Sequence, residues 1–221
     1  LNGQVKLPEG TPLLLESYLG EPPQELKQKL NMTAVLAARH PYESAKLGLR
    51  LLPDTRHIVV LVDATADGRR QRELLSEIPE EITRKITIID GTEYSTAEMM
   101  KKVSGLPPHT LLIFHSWGSS RDETPANSYT TLPRINQIFP GMILGRYDTY
   151  MPLGSDGGSV AVSTELGAQT GAVAVRILNG EAAAAIPYAY SHLHPRLDYR
   201  AIREFGIPAG RIPAETKIMN T

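Results

Sequence analysis

Arg146, Tyr147, Asp148 and Tyr150 fall together in one polar loop of the stretch GMILGRYDTYMPLGSDGGSVAVSTE, residues 141–165. A guanidinium can grip a carboxylate through two parallel hydrogen bonds, and a phenol ring offers an apolar face with a polar tip. A strand that ends in a loop rich in aromatic and charged groups is where open α/β sheets place ligands, so the chemistry these residues suit is binding. The loop follows an apolar run at 142–144 and passes through Gly154, Gly157 and Gly158 before residues 160–162 turn apolar again. Glycine takes positive φ without steric cost and lets backbone N–H groups approach a bound molecule. Gly157 and Gly158 are therefore expected beside the ligand, although a tight turn between two strands would use the same residues.

A second polar loop, SWGSSRDET at 116–124, carries the single tryptophan, Trp117, together with Arg121 and Asp122. Its indole could stack on an aromatic or apolar ligand while Arg121 pairs with a carboxylate; the alternative is an indole packed beneath its own loop. Asp63 and Thr65 follow one apolar run, and Glu93 and Tyr94 follow the next. Asp63 could line a site or organise a turn. His40 and Tyr42 stand before a helical pattern and could line the same cleft or cap that helix. The candidate ligand-binding set is thus Trp117, Arg121, Asp122, Tyr147, Asp148, Tyr150, Gly157, Gly158, Asp63, Thr65, His40 and Tyr42.

His192 and His194 would share one face of a strand, as a metal pair requires, but no further ligand stands at matching spacing, so no metal is expected. No strand is followed by G-x-G-x-x-G, and neither a P-loop nor a G-x-S-x-G elbow occurs. Asp54, Asp63, Asp67 and Asp90 do not form the acidic pocket of a phosphorylatable receiver. No cofactor and no catalytic residue are expected.

These loops need a scaffold, and the hydrophobic pattern supplies one. Continuous β-branched and aliphatic runs at 57–62, 85–89, 109–114 and 142–144 read as strands buried on both faces. Helical patterns at 67–78, 95–103 and 132–139 lie between them, with Asp67 a candidate N-cap and Ser95 with Glu98 a capping box. Alternation of this kind implies βαβ units and a parallel sheet with helices on both faces. Upstream, strands are expected at 13–15 and 32–37, with helices from 21 to 30 and over 43–52. Downstream, a helix rich in small residues spans 165–178, closed by Asn179-Gly180. A strand at 186–190 and a helix at 198–205 follow, and residues 207–221 show no core pattern.

The bulk properties narrow the classes. The chain has 221 residues, 41% hydrophobic and 21% charged, with a net charge of -1. That charge gives no reason to expect nucleic acid as a partner. Absence of cysteine excludes disulfides, thiolate metal sites and cysteine nucleophiles. No run is long enough to span a bilayer and no leader is visible, so any membrane association is expected to come from segments outside this sequence.

Several stretches together resemble the type I periplasmic-binding-protein-like domains related to ABC-transporter substrate-binding proteins. The likeness is greatest to the variety fused as sensors to bacterial histidine kinases and diguanylate cyclases. They are Leu7-Pro8-Glu9-Gly10-Thr11-Pro12, KLGLRLLPDTRHIVVLV at 46–62, Leu106-Pro107-Pro108 and Asp156-Gly157-Gly158-Ser159-Val160. RILNGE at 176–181 and LDYRAIREFGI at 197–207 complete the set. The resemblance covers nearly the whole chain.

It implies an α/β fold: a parallel-sheet, Rossmann-like lobe of a type I periplasmic binding protein with a second, incomplete α/β lobe. On that reading residues 1–37 are a partial first lobe, 38–150 a complete lobe, and 151–221 a return crossover with C-terminal elements of the first lobe. The opening βαβ units of the first lobe are expected to be missing, and exposed apolar surface there could drive a homodimer.

The implied function is an extracytoplasmic sensor of a membrane signalling protein, on the periplasmic face. It would bind a small organic solute, such as an amino acid or aromatic carboxylate, and perform no chemistry. The alternatives are an ABC-transporter solute-binding protein and an α/β enzyme of unknown reaction.

Overall fold

The computed structural model describes residues 7–17, 21–37, 41–122 and 126–221. In chain order its first elements are β1 (Leu13–Ser17), α1 (Gln24–Lys29), β2 (Met32–Leu36), α2 (Pro41–Leu51), β3 (His57–Val62), α3 (Ala66–Leu74) and α4 (Glu80–Thr83). Then come β4 (Ile86–Asp90), α5 (Thr96–Ser104), β5 (Thr110–Phe114), α6 (Ser128–Ile138), β6 (Ile143–Gly145) and β7 (Gly157–Ala161). The chain closes with α7 (Ser163–Leu178), β8 (Ala189–Tyr190), β9 (Leu193–Asp198), α8 (Tyr199–Glu204) and β10 (Lys217–Met219).

The chain divides into two compact units, Leu1–Ala38 with Ser163–His192 and Arg39–Val162 with Leu193–Thr221. The first unit has a three-stranded parallel sheet in the order β1-β2-β8. Its core is small: Val35, Ala37, Leu166, Val173 and Ile186, with Leu14 and Ile177 packed on it. Thr33 Oγ1 donates to the Ile186 carbonyl at 3.0 Å, which fixes the 183–186 turn against β2. Only Ala189 and Tyr190 of the strand expected over 186–190 pair, because Ile186 closes a 3-10 turn at Ala183–Ala185.

The second unit is built on a seven-stranded sheet, β10-β9-β7-β6-β5-β3-β4. Strands β4, β3, β5, β6 and β7 run parallel; β9 is antiparallel to β7, and β10 is parallel to β9. After the exposed His57, the run IVVLV is apolar throughout because helices cover both of its faces. Ile58, Val60 and Val62 enter a core with Ala45, Leu47 and Leu51 of α2 and with Leu75, Ile78 and Ile82. Val59 and Leu61 enter the opposite core, with Met99 and Val103 of α5 and Leu132 and Ile135 of α6. Burying strands such as these stabilises by about 1.5–3 kcal/mol per large aliphatic side chain, before ordering entropy is subtracted.

Several boundaries depart from the sequence reading. Residues from 151 onward do not simply return to the first unit: β7, β9 and β10 extend the sheet of the second. Strand β9 (LHPRLD) escapes hydrophobic periodicity because it is polar and holds Pro195, which removes a ladder donor. The tail also takes part, since β10 pairs with β9 and Ile207 is buried. Finally, α3 is capped by Thr65, whose Oγ1 accepts from the Gly68 N–H at 3.1 Å, so Asp67 lies within the first turn.

Candidate functional site

The sheet order β4-β3-β5-β6-β7 reverses direction between β3 and β5. At such a switch point the connections leaving neighbouring strands diverge, opening a crevice beyond their carboxyl ends. The loops after β3, β5 and β6 of the second unit meet there. Asp63 binds the first two together: Oδ1 accepts from the Thr65 N–H at 3.0 Å and from Thr65 Oγ1, and Oδ2 accepts from the Gly118 N–H at 2.9 Å. Asp63 is 3% exposed and both of its oxygens are used, so it holds the rim in shape. Thr65 is half-buried beside it.

Behind this rim lies a charged cluster that the sequence reading did not assemble. Arg146, just after β6, donates from Nη1 to Asp67 Oδ2 of α3, and the same nitrogen lies 2.6 Å from His115 Nε2 at the end of β5. A guanidinium can only donate, so His115 Nε2 is the acceptor and the imidazole proton sits on Nδ1. Burial first, and the Arg146 charge second, lower His115 to about 4 against the pull of Asp67 and Asp63; the ring is neutral at pH 7. Burial alone would raise Asp67, but the contact with His115 and the Arg146 charge outweigh it and hold the carboxyl at about 2. Because a neutral His115 already accepts from Arg146, its 3.5 Å approach to Asp67 is secondary, and the arginine is the partner that keeps Asp67 ionised. The cluster is therefore an ion pair with a neutral acceptor, and it positions the Arg146–Tyr147 corner.

Tyr147 stands on that corner, half-buried, with the Arg146 guanidinium carbon 4.8 Å from its ring centroid. Tyr147 and Tyr129 both meet Tyr150 edge-to-face, at 5.2 and 5.8 Å between centroids. Tyr150 is 3% exposed and continues into the core through Phe114 at 5.3 Å. Tyr129 is 52% exposed, and its hydroxyl lies 3.2 Å from Thr149 Oγ1. Ser116 Oγ is buried at the same edge with no hydrogen-bond partner among the described residues. The edge therefore presents two tyrosine rings and hydroxyls, beside a 116–119 loop whose backbone is tied down: the Trp117 N–H donates to Ser128 Oγ, the Gly118 N–H to Asp63, and the Ser119 carbonyl accepts from the Ala64 N–H.

The other predicted residues are placed as follows. Trp117 is fully buried in the core with Phe114, Leu132 and Ile135, and its Nε1 donates to Thr96 Oγ1 at 3.0 Å. The stacking role expected of it is corrected to packing beneath its own loop. Arg121 is exposed but engaged, donating to both carboxylate oxygens of Glu98 and to the Glu93 carbonyl. Asp122 is exposed and accepts from Ser120 Oγ at 2.7 Å. Asp148 sits 3.5 Å from Arg196 Nη1.

Gly157 and Gly158 are not at the edge: they begin β7, where Gly157 pairs with Leu144 of β6 and Leu197 of β9. Their φ values are 147° and 145°, and an added Cβ would meet the Arg196 carbonyl oxygen at 2.2 Å and the Gly145 carbonyl oxygen at 2.3 Å. They serve close strand packing, so the backbone cradle expected of them is corrected. Tyr42 packs against the α2-side core, and His40 lies outside the described residues.

What the sequence reading missed is Asp67, His115 and Tyr129. Only Asp67 carried a signal, as an acidic residue in a first helical turn; its pairing across 79 residues needs the fold. Among the described residues no group of three or more His, Cys, Asp or Glu could hold a metal ion, and no helix is long and apolar enough to cross a membrane.

No family model matches the sequence, and no curated protein matches it. Solved structures similar to it include these three. One is a ligand-free, open substrate-binding protein with adhesive properties from Clostridium difficile, at 17% identity and TM-score 0.61, covering 85% of this chain and 63% of that one. The second is an ABC domain in complex with L-Trp from Streptococcus pneumoniae, at 16% identity and TM-score 0.65, with coverage of 85% and 63%. The third is a conserved domain protein from Vibrio cholerae, at 14% identity and TM-score 0.61, with coverage of 84% and 62%. The fold is mixed α/β with parallel sheets, like that of these periplasmic-binding-protein-like neighbours. At these identities the likeness speaks for fold alone, and the chain spans somewhat under two thirds of each of those proteins.

Proposed function

We propose that this chain is a ligand-binding module for a small organic solute, of the amino acid or aromatic carboxylate class, acting by binding without chemistry of its own. The observation that carries the reading is the meeting of three loops at the switch point of the second unit, where Asp63 and the Arg146–Asp67 pair fix a rim that presents Tyr147, Tyr129, Ser116 and Thr65. Crevices at such points are where open α/β sheets take ligands. The aromatic part of the ligand would lie on Tyr147 and Tyr129, taking the role first expected of Trp117, and its polar end would meet Ser116 Oγ, which has no hydrogen-bond partner among the described residues. The complex of a similar fold with L-Trp supports this ligand class. Both oxygens of Asp63 are occupied and His115 Nε2 already accepts from Arg146, so these two residues serve the rim's shape, which fits a receptor.

The output follows from what is attached. A spanning segment after Thr221 would make the module the extracytoplasmic sensor of a histidine kinase or diguanylate cyclase; a free end would make it the binding protein of an ABC transporter. The solved neighbours, a substrate-binding protein and an ABC domain, support the second reading at least as well as the first. Either use requires the ligand to bind one conformation more tightly than another. Calorimetric titration of the full-length protein with amino acids and aromatic carboxylates tests the proposal. Saturable binding weakened by Tyr147→Ala supports it, and turnover of any of these compounds would replace it with the enzyme reading.

A further inference from the structure

A cavity of about 730 Å³ lies on the flank of the second unit, between α6, the 3-10 turn at Asp148–Leu153, β9 and α8. It is distinct from the switch-point rim, and only Asp148 of the predicted set lines it. Its volume is in the range that holds small-molecule ligands, about 300–1,000 Å³.

Arg196 is the residue that asks for an occupant. Its side chain is only 11% exposed, its Nη1 has the 3.5 Å contact with Asp148, and its Nε is buried with no hydrogen-bond partner among the described residues. A donor shielded from water and left without an acceptor is costly, and an incoming oxygen removes the cost.

The rest of the lining is mixed in charge. Arg200 stands with Asp198 and Glu204, and Asn136 adds an amide that both donates and accepts. Opposed charges so interspersed do not favour a multivalent anion, and among the described residues no metal-binding group of acids exists. An uncharged molecule rich in hydroxyls meets such a surface best, because each hydroxyl donates to a carboxylate while accepting from a guanidinium or amide. Pro133, Met151 and Pro152 give it an apolar wall to lie against.

We propose that this flank cavity binds a neutral polyhydroxylated small molecule, of sugar or cyclitol type, with Arg196 Nε–H as a donor and Glu204 and Asn136 as its hydroxyl partners, while Asp198, which accepts from the Arg200 N–H and from Asn220 Nδ2, holds the wall in shape. Asp156, also on the lining, strengthens the fit to a neutral ligand: burial pushes its carboxyl up to about 7 despite the Ile143 N–H it accepts, so a substantial fraction of it carries a proton at neutral pH.

The test is an amide-resolved NMR titration of the chain with D-glucose, maltose and myo-inositol, using putrescine and acetate as charged probes. The expected result is a saturable shift at Asn136, Gln137, Arg200 and Asn220 with at least one polyol, while residues 116–119 stay still. Binding should weaken about tenfold in both Arg196→Gln and Asn136→Ala, the loss of roughly one charged or bifunctional hydrogen bond. Asn136 is exposed on α6, so its variant is informative even where Arg196→Gln unfolds. Shifts from putrescine or acetate alone, shifts confined to 116–119, or no saturable shift with any polyol overturn the proposal. None of these outcomes bears on aromatic ligands at the rim, which are titrated separately and read at different residues.

Discussion

Two buried groups of the second unit titrate across the same pH range with opposite consequences for stability. Asp156 is raised from 3.8 to about 7, chiefly by burial, with the charges of Glu204 and Asp198 adding to it and the Ile143 N–H opposing. Between those values the folded chain holds a proton there that the unfolded chain has lost, so this group makes stability fall as pH rises. His115 is lowered from 6.5 to about 4, by burial and then by Arg146. In that interval the unfolded chain holds a proton that the folded ring has lost, so this group makes stability rise with pH.

Each contributes a slope of about 1.4 kcal/mol per pH unit, and the two slopes cancel. Wild-type stability should therefore be nearly flat from about pH 5 to pH 6.5. Asp156→Asn removes the falling contribution while keeping an acceptor for Ile143, and its stability should climb by about 2 kcal/mol over that range. His115→Gln keeps an acceptor for Arg146, and its stability should drop by about 2 kcal/mol between about pH 5 and pH 7. Urea unfolding followed by the emission of Trp117 reads this directly, since the indole is in the same unit as both groups. A wild-type slope as steep as either variant's, or two variants that tilt the same way, would refute the reasoning.

Other consequences follow from single contacts. Asp63→Ala strands the Gly118 and Thr65 N–H groups and should cost about 2–4 kcal/mol in urea unfolding, with Asp63→Asn recovering part of it. Gly158→Ala must either move the Gly145 carbonyl or leave its positive φ, and should lower stability by more than about 2 kcal/mol in thermal melts without altering ligand selectivity. Trp117 is sealed, so acrylamide should quench it poorly with or without ligand; strong quenching relieved by ligand would restore the indole to the site.

Much of the second unit was legible in its sequence because strands covered on both faces write themselves as unbroken apolar runs, as HIVVLV and TLLIF do. Ser95 and Glu98 likewise announce α5 locally, and both halves of their capping box form. The site was less legible for a definite reason. A polar residue after a strand reads the same whether it meets a ligand or ties two loops together, and Asp63 turned out to tie. Trp117 sits in a polar sequence yet is buried, because Phe114, Leu132 and Ile135 from other elements enclose it. The glycine pair of β7 looked like a ligand cradle, but Gly157 is demanded by β9, which carries a proline and little apolar pattern, and Gly158 by the Gly145 carbonyl of β6. The Arg146–Asp67–His115 cluster joins the ends of β5 and β6 to the first turn of α3, and apart from the acidic Asp67 it leaves no local trace.

The central claim is that the loops after β3, β5 and β6 form one ligand rim. An amide-resolved titration of the full-length protein with aromatic amino acids and aromatic carboxylates tests it most directly. The account predicts saturable shifts concentrated at 64–67, 115–119 and 146–149, lost together in Tyr147→Ala. Saturable binding that leaves those three segments still, or that survives Tyr147→Ala at full affinity, would contradict it.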